Sequence, residues 1–168
     1  MLQDVCGVFA RVAPATSLEI GVGFGKYGCL FREIADARFG RVQERDWKCQ
    51  LYGVEYFAGY SNPAWGCYNQ VVIGNALDID DSSIYDFVFC GDVLEHIEKS
   101  QALELIERLK KVANKCLVIV VPLGASPQGA MFGNDKEQHI SEWSVTDFPG
   151  FKNVLKENKG MFVYETIG

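Results

Sequence analysis

The chain has 168 residues, 48% of them hydrophobic and 23% charged, a globular balance that excludes a disordered chain. At this length a fold hides about 70% of its surface and needs no disulfide or metal staple. The 22 acids outnumber 16 lysines and arginines for a net charge of -6, and from Cys49 to Glu98 there are eight acids and no lysine or arginine, so the remainder carries +2. Such a surface repels a phosphate polymer and suits a cationic small ligand, because nucleic-acid affinity rests on Lys and Arg displacing counterions.

The length fits one domain, residues 1–168, by the prior of roughly 100–200 residues per domain. In MLQDVCGVFARVAPA the acid Asp4 precedes the apolar stretch and Arg11 follows it, the wrong order for a signal peptide. Ser17–Val22 is a short, mostly apolar run ending in a glycine cluster, and it reads as a buried strand. Tyr27, Leu30, Phe31 and Ile34 recur at helical spacing, with Gly40 as the stop. Gln50–Phe57, Gln70–Gly74 and Tyr85–Cys90 read as three further strands.

Ser100 is placed to cap a helix whose apolar stripe is Ala102, Leu105, Ile106, Leu109 and Val112. Leu117–Val121 is the most strand-like run and is predicted to be central. With Pro122 inside it, the longest apolar run is far too short to cross a bilayer, and a cytoplasmic protein is expected. Residues 122–139 are loop-rich, Ser141–Phe148 is expected to be a short helix capped by Ser141, and Asn153–Glu157 and Met161–Thr166 close the chain as strands.

Alternation of strand and helix demands a doubly wound, mostly parallel α/β sheet of seven strands with helices on both faces. The last two strands have no room for a helix between them and should form an antiparallel hairpin at the edge. The six cysteines are scattered without a CxxC pair, only His96 and His139 could supplement them as ligands, and no metal is implied. Free thiols in a reducing compartment are expected.

The candidate chemistry lies in Glu19-Ile20-Gly21-Val22-Gly23-Phe24-Gly25, between the first strand and the first helix, where a doubly wound sheet binds its ligand. Two registers compete. Gly23-Phe24-Gly25-Lys26-Tyr27-Gly28 fits the dinucleotide fingerprint, but Glu55 lies 30 positions beyond Gly25 rather than about 20. ExGxGxG from Glu19 instead places an acid before the glycines, useful to a ligand with an ammonium group and useless to a pyrophosphate.

The second register resembles motif I of the class I S-adenosylmethionine (SAM) dependent methyltransferases. Glu55 matches that family's acid at the end of the second strand, and Gly74-Asn75-Ala76-Leu77-Asp78 its GDA segment. Tyr85-Asp86-Phe87-Val88 resembles its FDxV segment, and Gly91-Asp92-Val93-Leu94-Glu95-His96-Ile97 its DVLEH segment, in the right order over roughly residues 15–125. The resemblance implies SAM as cofactor, with Gly21, Gly23 and Gly25 approaching its methionine part and Glu19 orienting the ammonium through the loop. Glu55 would hold the ribose hydroxyls and Tyr56 would lie on the adenine face. Asn75, in place of the commoner Asp, would read the adenine edge together with the Ala76 backbone. Gly91 and Asp92 would flank the sulfonium.

The expected function is methyl transfer to a small-molecule acceptor, such as a sugar or a biosynthetic intermediate, by in-line displacement. A non-catalytic SAM-binding or partner-binding module, a protein methyltransferase and, more distantly, an NAD-dependent oxidoreductase are the other readings. Neither composition nor motif indicates a membrane or nucleic-acid partner, and oligomeric state is not legible. Asp92, His96 and His139 are the candidate catalytic groups. His96 either lines the pocket or satisfies a helix start. Histidine is the side-chain type suited to proton transfer near neutrality, and His139 either orients or deprotonates the acceptor or serves the Ser141 region structurally. Asp86 lies at the start of its strand rather than after it and is expected to be structural.

Overall fold

The computed structural model describes residues 1–166. Its strands are β1 (Thr16–Ile20), β2 (Gln50–Glu55), β3 (Gln70–Ile73), β4 (Tyr85–Gly91), β5 (Ala113–Pro122), β6 (Lys152–Lys156) and β7 (Lys159–Glu165). They form one sheet in the order β3-β2-β1-β4-β5-β7-β6. The first five pair in parallel, and β7 runs antiparallel between β5 and β6. The expected terminal hairpin is present, at the edge. No helix among the described residues is long and apolar enough to cross a membrane.

Both faces of the centre are covered, which explains why β5 reads as an unbroken apolar run. Leu117, Ile119 and Val121 meet α3 (Lys99–Val112) through Ala102, Leu105, Ile106 and Leu109. Cys116, Val118 and Val120 point to the opposite face, in the cluster that holds α1 (Leu2–Val12) and α2 (Lys26–Ala35). Residues 2–12, read in the sequence only for their order of charge, thus form a packing helix: Phe9 stacks on Phe31 with ring centroids 4.1 Å apart.

Helices do not fill every crossover. The β2–β3 connection has only 3₁₀ turns, Ala58–Tyr60 and Pro63–Cys67, and the β3–β4 connection has one, Ala76–Asp78. In the β2–β3 connection Gly59, Pro63 and Gly66 oppose a longer helix, and the uncovered edge strand leaves Val72 and Ile73 about half exposed. Two cap assignments are also corrected. Glu98, not Ser100, precedes α3, whose start is fixed from outside: Lys99 Nζ donates to the Glu142 carbonyl and to Asp147, each at 2.7 Å. Residues 141–148 hold only a 3₁₀ turn, Val145–Asp147, capped by Ser144, because the Ser141 hydroxyl donates to the Leu94 carbonyl instead.

The helix ends at Ala35, ahead of its expected stop, and Gly40 instead closes a 3₁₀ turn at Ala37–Phe39. The stop is a buried ion cluster. Asp36, fully buried, pairs with Arg32 at 2.5 Å and with Arg41 at 2.7 Å and also accepts the Lys48 amide. Burial opposes ionisation, but these donors prevail and hold the Asp36 carboxyl below the usual range. Arg32 donates further to the Cys49 and Cys67 carbonyls and to Asn69, and stacks over the Trp47 ring. Removing one partner of such a cluster strands a buried charge. Arg32→Met should therefore lose about 3 kcal/mol of unfolding free energy, read as a lower urea midpoint at pH 7. A change within 0.5 kcal/mol would show that Arg41 alone sustains Asp36.

Candidate functional site

A strand that turns directly into a helix leaves backbone N–H groups without partners. Here β1 passes through Gly21 and Gly23 into α2. Gly21 has φ +77°, and a Cβ there would lie 2.3 Å from Val93 Cγ2, so only glycine fits. The Gly23 amide donates to Glu55 Oε2 and the Phe57 amide to Oε1, both at 2.8 Å, which fixes the carboxylate at the end of β2. Trp65 Nε1 donates to the Gly23 carbonyl at 2.9 Å and closes the turn from outside.

A cavity of about 530 Å³ opens at the carboxyl ends of the parallel strands. Gly21 and Gly23 from the turn, Glu55 and Tyr56 after β2, Asn75 and Ala76 after β3, and Asp92 and His96 after β4 all line it. Each comes from a different connection, so the fold alone brings them together. Asn75 Oδ1 accepts the Leu77 amide at 3.0 Å, which orients its amide on the wall. Asp92, at φ +53°, pairs with Lys159 Nζ from β7 at 2.7 Å.

Four sequence-predicted residues are not on the wall. Gly25 faces Ala64 and Trp65, and Gly91 faces the Phe89 ring; both are packing positions. Glu19 lies buried beneath the turn, where its Oε2 accepts the Tyr68 hydroxyl at 2.7 Å. The Tyr68 oxygen in turn accepts the Gly28 amide in the first turn of α2 at 3.0 Å. Gly28 leaves room for that ring, since a Cβ would lie 2.1 Å from it. His139 stands one layer out, its ring 4.8 Å from that of His96.

No protein-family model and no curated protein matches this chain. Solved structures do match. Magnesium protoporphyrin IX methyltransferase from Synechocystis with bound SAM aligns at TM-score 0.65 and 13% identity over 96% of this chain and 76% of its own. A bacterial CtHen1 methyltransferase domain aligns at 0.64 and 15% over 98% and 97%. The Burkholderia thailandensis 1,6-didemethyltoxoflavin-N1-methyltransferase, holding 1,6-didemethyltoxoflavin and S-adenosylhomocysteine, aligns at 0.68 and 13% over 99% and 78%. The fold is that of the class I SAM-dependent methyltransferases.

In this methyltransferase fold the connection after β5 forms the outer wall of the cavity. Asn134, Lys136, Glu137 and Ile140 line it, in or next to the stretch that the sequence marked only as loop-rich. Tyr60, itself buried, is a wall residue too; its hydroxyl donates to Glu137 Oε1 at 2.5 Å. Trp143 anchors the connection in the core, and the Ile140 and Ser141 amides donate to the Glu95 carbonyl. That attachment brings His139 over His96 across 43 positions of sequence. Burial pushes the Glu95 carboxyl up to about 8 and holds the His96 imidazole below its usual pKa.

Burial likewise pushes the Glu19 carboxyl from 4.5 up to about 8, against the Tyr68 hydrogen bond. A carboxyl whose pKa is raised on folding binds its proton more tightly in the native state. Its contribution to stability is complete below about pH 4.5 and erodes as pH rises toward 8. Glu19→Gln keeps an acceptor for Tyr68 and carries no charge. Chemical unfolding of the two proteins at pH 5, 6.5 and 8 should show the variant gaining on the parent as pH rises, and parallel curves would mean that Glu19 is ionised throughout.

Proposed function

We propose that this chain binds SAM in the cavity and transfers its methyl group to a small-molecule acceptor. The observation that carries the reading is Glu55. It is only 6% exposed, lies on the cavity wall, and is oriented through both oxygens by the Gly23 and Phe57 amides. Each carboxylate oxygen keeps a further lone pair, the complement of two vicinal ribose hydroxyls. Beside it, the half-exposed Tyr56 ring offers a flat face to adenine, and Asn75 and Ala76 offer polar groups to its edge. Gly21 and Gly23 allow the methionine part to approach the backbone.

Glu19 acts in this reading at one remove, through the turn that it supports by way of Tyr68 and Gly28. The sulfonium is already an excellent leaving group, so the protein contributes chiefly alignment of donor and acceptor and exclusion of water. Solved structures of this fold that hold SAM or S-adenosylhomocysteine support the cofactor. A neighbour that holds 1,6-didemethyltoxoflavin supports an acceptor of small size. The stretch of eight acids without a lysine or arginine argues against a nucleic-acid acceptor.

Calorimetric titration with SAM, S-adenosylhomocysteine and NAD tests the cofactor directly. Saturable binding of the first two and none of NAD is expected; binding of NAD alone would replace the reading with an oxidoreductase. Glu55→Ala should weaken SAM binding at least tenfold with the circular dichroism spectrum retained, because a charge-assisted hydrogen bond is worth about 1.5–3 kcal/mol. Undiminished affinity in the folded variant would remove Glu55 from the site.

A further inference from the structure

Beside the cofactor cavity, Glu95, His96 and His139 bring one ligand atom each within 4.8 Å of one another. Glu95 is 2% exposed, and its Oε2 is buried without any hydrogen-bond partner, the one such side-chain atom among the described residues. His96 Nδ1 lies 3.2 Å from the Gln138 carbonyl oxygen, and His139 Nδ1 bonds the Ser126 carbonyl oxygen. A carbonyl only accepts, so in each bonded ring Nδ1 carries the proton and a neutral ring leaves Nε2 as a lone pair. A carbonyl that accepts from the far nitrogen is how metal-ligating imidazoles are oriented. Glu95 Oε2 has no donor, and an unmet buried acceptor is costly; an ion held among the three side chains would meet it.

We propose that Glu95, His96 and His139 form a binding site for a divalent transition-metal ion of the zinc, cobalt or iron(II) kind. Two imidazole nitrogens and one carboxylate oxygen suit these ions better than magnesium or calcium, which prefer oxygen throughout. Three protein ligands leave at least one coordination position open. His96 is itself a wall residue of the cofactor cavity, so the ion sits at that cavity's edge. Resting on the methyl-transfer reading, this suits an acceptor that presents a hydroxyl. Its hydroxyl binds the open position and releases its proton to solvent. The oxygen lone pair then forms the new bond to the methyl carbon while the sulfur–methyl pair returns to sulfur, leaving a neutral thioether.

The chain contains only two histidines, so a histidine-bound ion reports on this site alone. Tag-free protein stripped with a chelator is titrated with Co²⁺ and followed by visible d–d absorption and calorimetry, without SAM. One equivalent should bind, with no thiolate charge-transfer band. His96→Asn, His139→Asn and Glu95→Gln should each weaken binding at least tenfold with the far-ultraviolet spectrum unchanged. Absence of a saturable one-to-one site in the parent protein would overturn the proposal without recourse to any variant. So would a thiolate band, or binding that survives in the double histidine variant. Acetohydroxamate, an oxygen chelator, should shift the d–d bands of the Co²⁺ protein; unshifted bands would remove the open position. SAM titration of the stripped protein reads the cofactor site separately, so either reading can fail while the other stands.

Discussion

Everything about this cavity depends on how the chain satisfies the backbone where β1 turns into α2. Amides there have no partner within the helix, and burying them bare is costly. Two acidic side chains meet the need from different directions. Glu55 takes the Gly23 amide from above the turn, and Glu19 reaches the Gly28 amide from below through the Tyr68 hydroxyl. The first contact leaves a carboxylate on the cavity wall. The second places a buried carboxyl under the turn, supporting it without facing the ligand space.

The opposite wall rests on a different kind of constraint. A connection as long as the one after β5 costs conformational entropy to fix and needs attachments along its length. It has them at Trp143, whose indole lies in the core under the Lys99 ammonium, and at the Glu95 carbonyl, which receives the Ile140 and Ser141 amides. The Gly124 amide completes the tether by bonding the Trp143 carbonyl. Pinned at these points, the connection presents Glu137 to Tyr60 and His139 to His96. The same residues that hold the wall therefore bring the second histidine to the cavity's edge.

The acidic stretch is not one undivided face. Asp86 takes the Ala15 amide, Asn114 and Lys115 at the amino end of the sheet, the structural role expected of it. Glu55 and Asp92 stand at the carboxyl end with the cavity, and Asp92 meets Lys159, a cation from β7. Glu95 turns inward. A run that looks uniform in sequence is thus divided between an end that stabilises strand packing and an end that shapes the field at the ligand space.

Local patterns were sufficient for much of the architecture. Apolar strands buried on both faces, the stripe on α3 and glycines between strand and helix are consequences of period and backbone sterics, and these are written residue by residue. The motif segments placed Glu55, Asn75 and Asp92 at strand ends for the same reason. Other features needed the folded chain. A helix was absent between β2 and β3 because Gly59, Pro63 and Gly66 outweighed the alternation of elements. Ser141 gave up its capping role for the Leu94 carbonyl, and Glu19 left the cavity for Tyr68, 49 positions away. The meeting of Glu95, His96 and His139 had no signature in spacing at all. Hydrogen bonds and ligand sets between distant segments depend on which side chains the packed sheet brings within reach, and a one-dimensional pattern holds no such distances; those were decided by tertiary structure alone.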